Sequence, residues 1–150
     1  MECLAHFNIM ETNPTTKQKG FPPVGHRRWV IAEGYIPGTS IGPKPAMVSH
    51  ETACVLNVSE EDAHLEITIF YSDQEPIGPY KVTVPARRTK HIRFNDLTDP
   101  QPIPRDKDYA SVIESNVAVV VQHTRLDSRQ AENALMTTMA FADTETVMMR

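Results

Sequence analysis

A chain of 150 residues with 40% hydrophobic content is the size of one domain built around one core. Its formal net charge of −4 argues against a dedicated nucleic-acid binder, while leaving room for a local basic patch. Twelve prolines and six glycines interrupt the chain often enough to favour short strands over long helices.

The segment from Met1 to Met10 has Glu2, His6 and Asn8 where a secretory signal needs a basic start and an unbroken apolar stretch. No apolar run approaches the length of a membrane span. Residues 11 to 28, ETNPTTKQKGFPPVGHRR, mix Pro, Gly, Thr and charge without periodicity, so residues 1–28 read as a flexible extension and the domain as starting near Trp29. Cys3 falls in that extension and Cys54 in an apolar run, which argues against a disulfide and fits a reducing cytoplasm.

Trp29 to Gly34 reads as the first strand, with Glu33 the odd polar member of its face. After a Gly/Pro loop, Ser49 to Asn57 forms a second, in which Ala53 and Val55 share one face and Cys54 and Leu56 the other. With no neighbouring motif to activate it, Cys54 is expected to be a small core residue, not a nucleophile. His64 to Tyr71 alternates Leu65, Ile67, Ile69 and Tyr71 against Glu66, Thr68 and Phe70, the clearest strand pattern in the chain. Tyr80 to Val84 is a short strand leading into a basic hairpin, and Asp99 to Asp108, with three prolines, is irregular.

Tyr109 to Glu114 and Val117 to Thr124 read as a strand pair joined by a two-residue turn at Ser115 and Asn116. The second member, apolar on both faces until Gln122 and His123, is expected to be central. From Leu126 to Phe141 helical and strand spacings compete, and a loop followed by a strand is the completion consistent with the preceding strands. Seven or eight short strands with no crossover helix predict an all-β, single-domain antiparallel β-sandwich, jelly-roll-like, over residues 29–142, with a flexible tail at 143–150. Leu65, Ile67, Ile69, Ile92, Phe94, Val119 and Val121 are its expected core.

Charge is concentrated between Pro85 and Leu97. Arg87 and Arg88 belong to a hairpin loop, and Thr89, His91 and Arg93 form the polar face of a strand whose other face carries Ile92 and Phe94 with the stem of Lys90. Solvated strand faces commonly look like this; the alternative is a contact surface for an anion, a sugar or a protein. Dinucleotide, P-loop, nucleophile-elbow and zinc-protease motifs are all absent. His50, Glu51, His91, His123 and Asp127 are of metal-ligand type but lack paired spacing, and Ser128, His123 and Asp127 have no reason to converge as a triad. Neither an enzyme nor a cofactor or metal site is expected.

The runs WVIAEGYIP, SHETACVLN, ITIFYSDQEPIGPY, VPARRTKHIRFNDL and VVVQHTRLDSRQAENALMTTMAFA resemble the sensory rhodopsin transducer family across Trp29 to Ala142. The resemblance implies a jelly-roll-related β-sandwich assembled as a homotetramer. It also implies a cytoplasmic signalling role that couples a membrane photoreceptor, a sensory rhodopsin, to a downstream response. A small polar ligand, sugar-like or anionic, and weak DNA binding are the alternatives that the family offers. The polar positions implicated are Glu33, His50, Glu51, Arg87, Arg88, His91, Arg93, His123, Arg125, Asp127, Arg129 and Gln130. Arg and carboxylate groups suit bidentate recognition of a ligand and salt bridges within or between subunits equally well. Arg87, Arg88, His91, Arg93, His123 and Arg125 are expected on one polar surface, where the basic hairpin meets the end of the central strand. Phe70, on an outward face, is expected in a subunit contact.

Overall fold

The computed structural model describes residues 23–132 and 134–144. Eight antiparallel strands make up nearly all of the regular structure: β1 (His26–Tyr35), β2 (His50–Asn57), β3 (Ala63–Phe70), β4 (Ile77–Val84), β5 (Arg88–Arg93), β6 (Asp108–Asp127), β7 (Ala134–Met139) and β8 (Phe141–Ala142). A single 3-10 turn, Phe94–Asp96, follows β5. The all-β class expected from alternation is what the chain adopts. The calls on residues 1–22 and 145–150 lie outside the described residues. The first strand, however, begins at His26, three residues before Trp29, because Arg28 already pairs with Glu114 on β6. At the other end Asp143 donates its backbone N–H to the Arg28 carbonyl.

The organising element is β6, 20 residues long. Its first half pairs with β1 and β3, and its second half pairs with β2 and β7. One strand thereby belongs to two half-sheets, β4-β3-β6-β1-β8 and β5-β2-β6-β7. The expected turn at Ser115 and Asn116 does not form. Ser115 pairs with Leu65 on β3, while Asn116 accepts from His64 N at 2.6 Å and donates to Asp62 O at 3.1 Å. Its turn-forming side chain therefore anchors the start of β3, and β6 runs on through the junction.

Inner faces of both halves meet in one apolar cluster that contains all seven residues expected from alternation, Leu65, Ile67, Ile69, Ile92, Phe94, Val119 and Val121. Odd-numbered β6 residues from Ile113 to Val121 point inward, as do Ala53 and Val55 of β2. Cys54 has the opposite parity. It is half-buried on the outer face, with Sγ 3.8 Å from Thr124 Oγ1, and is not a core residue. Gly25 marks a close approach at the start of β1: its φ is +95°, and a Cβ there would lie 2.0 Å from the Val119 carbonyl oxygen.

A buried carboxylate beneath an open cleft

Glu51 is fully buried (0% exposed), in a position where alternation would place an apolar residue. Burying a carboxylate is costly unless its oxygens are matched by donors, and here all of its acceptor capacity is used. Oε1 accepts from Tyr35 N at 2.8 Å and Arg125 Nε at 2.6 Å. Oε2 accepts from the Tyr109 hydroxyl at 2.8 Å and from His123 Nε2 at 3.2 Å. Arg125 and His123 stand on the same half-sheet as Glu51, and Arg125 is its direct cross-strand neighbour. Tyr35 and Tyr109 come from the other half-sheet, so the carboxylate ties the two layers together. Burial pushes the Glu51 carboxyl up. The bonds from His123, Tyr35 and Tyr109 and the charge of Arg125 more than offset this and hold it below its ordinary range. Burial, together with the same carboxylate, pushes the Tyr109 hydroxyl up.

Arg125 also reaches Glu33 on β1, its Nη2 lying 2.5 Å from one oxygen of Glu33 and 2.5 Å from Glu51 Oε1. Both Nη2 contacts are ionic ones, off the line of a good hydrogen bond. Above this cluster, β1 and β7 part to leave a cleft of about 360 Å³. Its walls are Val30, Met136, Met139, Ala140 and Phe141, and Glu33, His123, Arg125, Thr137 and Thr138 are its polar lining.

The other candidate residues lie elsewhere. Arg129 forms a bidentate pair with Asp127, Nε and Nη2 at 3.0 and 2.6 Å, and its guanidinium lies over the Tyr35 ring. The Arg129 bonds hold the Asp127 carboxyl below its usual range. Gln130 lines a second depression of about 340 Å³ beside this pair. Tyr35 donates its hydroxyl to Asp106, which also accepts from Gly38 N at 2.7 Å. His50 bonds the Val48 carbonyl through Nδ1 at 2.7 Å. Ser128 is occupied by Ser49 and by the Met47 carbonyl, so it does not meet His123 and Asp127 as a triad.

The basic hairpin is divided from the Glu51 cluster by strand parity. Ile92 stands in register with Ala53, and Ala53 with His123, all on the inner face; His91 and Arg93 align with Cys54 and Thr52 and so point outward. The six residues expected on one polar surface are therefore split between two faces. Arg87 occupies the β4–β5 turn with φ 58° and pairs with Glu60 at 3.5 Å. Arg88 and His91 are exposed with no ion pair among the described residues, and Arg93 Nε is buried without a hydrogen-bond acceptor there.

Tyr35, Tyr109 and Asp106 are the members that sequence reasoning missed. The available signal was Tyr109, a tyrosine on a buried strand row, where a hydroxyl needs a polar partner.

A family model described as Anabaena sensory rhodopsin transducer matches residues 24–142. The solved structure of the Anabaena sensory rhodopsin transducer is 64% identical, with 69% of this chain and 100% of that one covered and a TM-score of 0.62. The structure of Thermotoga maritima 1070 is 35% identical over 79% of this chain and 96% of that one, with a TM-score of 0.71. No curated protein matches the chain. Matched over most of its length, the chain belongs to the Anabaena sensory rhodopsin transducer family.

Proposed function

We propose that this protein is a non-enzymatic, cytoplasmic transducer that binds a membrane photoreceptor of the sensory rhodopsin type and relays its state to a downstream component. The observation that carries the reading is 64% identity to the Anabaena sensory rhodopsin transducer over that chain's whole length. A non-catalytic role accords with the use made of the buried charged groups: Glu51, His123 and Arg125 are engaged with one another, and Glu51 has no acceptor site left for a substrate proton. No helix among the described residues is long and apolar enough to cross a membrane, so contact with a receptor would be made through the strand faces and loops.

Two surfaces suit such contacts. The exposed Arg88 on the edge strand β5 suits an acidic receptor segment, and the exposed Phe70, Leu135, Met136, Met139 and Phe141 suit assembly into a homotetramer. Co-purification of a sensory rhodopsin with the tagged full-length chain from detergent extracts tests the proposal, and light scattering of the chain alone tests the assembly. Recovery of the rhodopsin above a tag-only control is expected, and equal recovery from both would end the reading.

A further inference from the structure

Strand β5 leaves backbone groups and charge unmatched along one edge. It pairs with β2 on one side, and among the described residues no other strand pairs with it. Nor does any further backbone bond reach Arg88–Arg93 there. Alternate N–H and C=O groups of the strand therefore point away from β2 without a protein partner. Arg88, Thr89, Lys90 and His91 are exposed, so this edge is open to an incoming chain. The strand also carries three full cations, Arg88, Lys90 and Arg93. Their partners across the ladder, Asn57, Val55 and Thr52, are uncharged, and none of the three makes an ion pair among the described residues. Lys90 Nζ donates to a neutral acceptor, the Thr83 carbonyl, at 3.2 Å, and Glu60 is committed to Arg87.

Other edges differ. Strand β4 contains Pro79, which has no N–H to give, and β7 presents the apolar Leu135, Met136 and Met139. A second copy of β5 laid along the first would set cation against cation, so self-pairing through this edge is opposed. We infer that β5 takes up an extended acidic segment as an added strand. The segment's backbone completes the ladder at the free edge, and carboxylates at every second position stand opposite Arg88 and Lys90. Main-chain bonds hold the strand, and the cations select acid over base. The inference rests on the receptor reading for the owner of the segment; how the segment is held follows from β5 itself.

Calorimetric titration of the full chain with the acetylated peptides EVEVEVEV, KVKVKVKV and EPEPEPEP, and with an oligothymidylate, provides the test, joined to amide hydrogen exchange read by NMR. EPEPEPEP keeps the charge of EVEVEVEV but lacks the alternate N–H groups that a strand must donate. EVEVEVEV is expected to bind saturably, at least about tenfold more tightly than the other three probes, and to slow exchange of amides within Arg88–Arg93 at least about tenfold. The double variant Arg88→Ala, Lys90→Ala is expected to weaken EVEVEVEV at least about tenfold at unchanged melting temperature, the scale of two cross-strand charge pairs. No saturable binding up to about 10 mM, equal affinity for EPEPEPEP, tighter binding of KVKVKVKV or of the oligothymidylate, or unchanged β5 exchange at saturation would overturn it. So would undiminished affinity in a double variant that self-associates, since the cations would then serve only to keep β5 from pairing with itself. None of these results depends on whether a rhodopsin co-purifies, which tests the owner of the segment separately.

Discussion

Glu51 and Arg125 face each other across the β2–β6 ladder, and Arg125 Nε donates to Glu51 Oε1 at 2.6 Å beneath the cleft floor. A buried ion pair adds little over a well-packed apolar pair, but removing one partner strands the other charge without solvent. Glu51→Ala leaves Arg125, His123, Tyr109 and the Tyr35 N–H without their shared acceptor. The expected loss is about 3–5 kcal/mol of unfolding free energy, read from urea denaturation.

The same carboxylate makes stability depend on acid. The folded pKa of Glu51 lies below its ordinary 4.5, so the unfolded chain takes up this proton first as the pH falls. Its contribution is fully present above 4.5 and is lost as the pH drops through the lower folded value. Melting temperatures measured through this range are expected to fall, and Glu51→Gln, destabilised at neutral pH, is expected to show a shallower fall than the parent.

Gly34 permits the Tyr109 side of this arrangement. The two residues are register partners on β1 and β6, and a Cβ on Gly34 would lie 2.4 Å from the Tyr109 ring. Gly34→Ala therefore displaces the ring that donates to Glu51 Oε2. A loss of about 1–3 kcal/mol is expected, the usual cost of overpacking, with Tyr109→Phe absorbing part of it in a double-mutant cycle.

Strand alternation in the sequence was enough to locate the core. Leu65, Ile67 and Ile69 recur with period two because one face of β3 is buried, and a slip by one residue would expose all three. The turn at Ser115 and Asn116 was misread because turn preference is local, whereas pairing with Leu65 and the Asn116 bonds to His64 and Asp62 are tertiary. Arg125, His123, Glu33 and Glu51 could be recognised as candidates from their residue types. Their union could not, since it requires knowing that β2 lies beside the second half of β6 and that Tyr109 reaches across from the first half. The supposed continuity of the basic hairpin with His123 failed for a related reason: proximity in a sheet does not place two residues on the same face unless their registers agree.

Arg88 offers a contrast with Glu51. It is exposed, and among the described residues its side chain makes one bond, to the neighbouring Arg87 carbonyl at 3.0 Å. Arg88→Ala is expected to leave unfolding free energy within about 0.5 kcal/mol of the parent, as for surface substitutions generally. If β5 meets an acidic receptor segment, the same variant binds the rhodopsin about tenfold more weakly, with a reduced dependence on salt. Calorimetry and binding at two ionic strengths read the two effects separately.

The most direct measurement is the equilibrium binding of the full chain to a sensory rhodopsin in lipid nanodiscs, with empty nanodiscs as reference. The account predicts saturable binding to the loaded discs, weakened by Arg88→Ala and retained in Glu33→Gln, whose side chain lines the cleft that Arg88 does not line. Binding no greater than that to empty discs, by a chain shown to be folded, would contradict it.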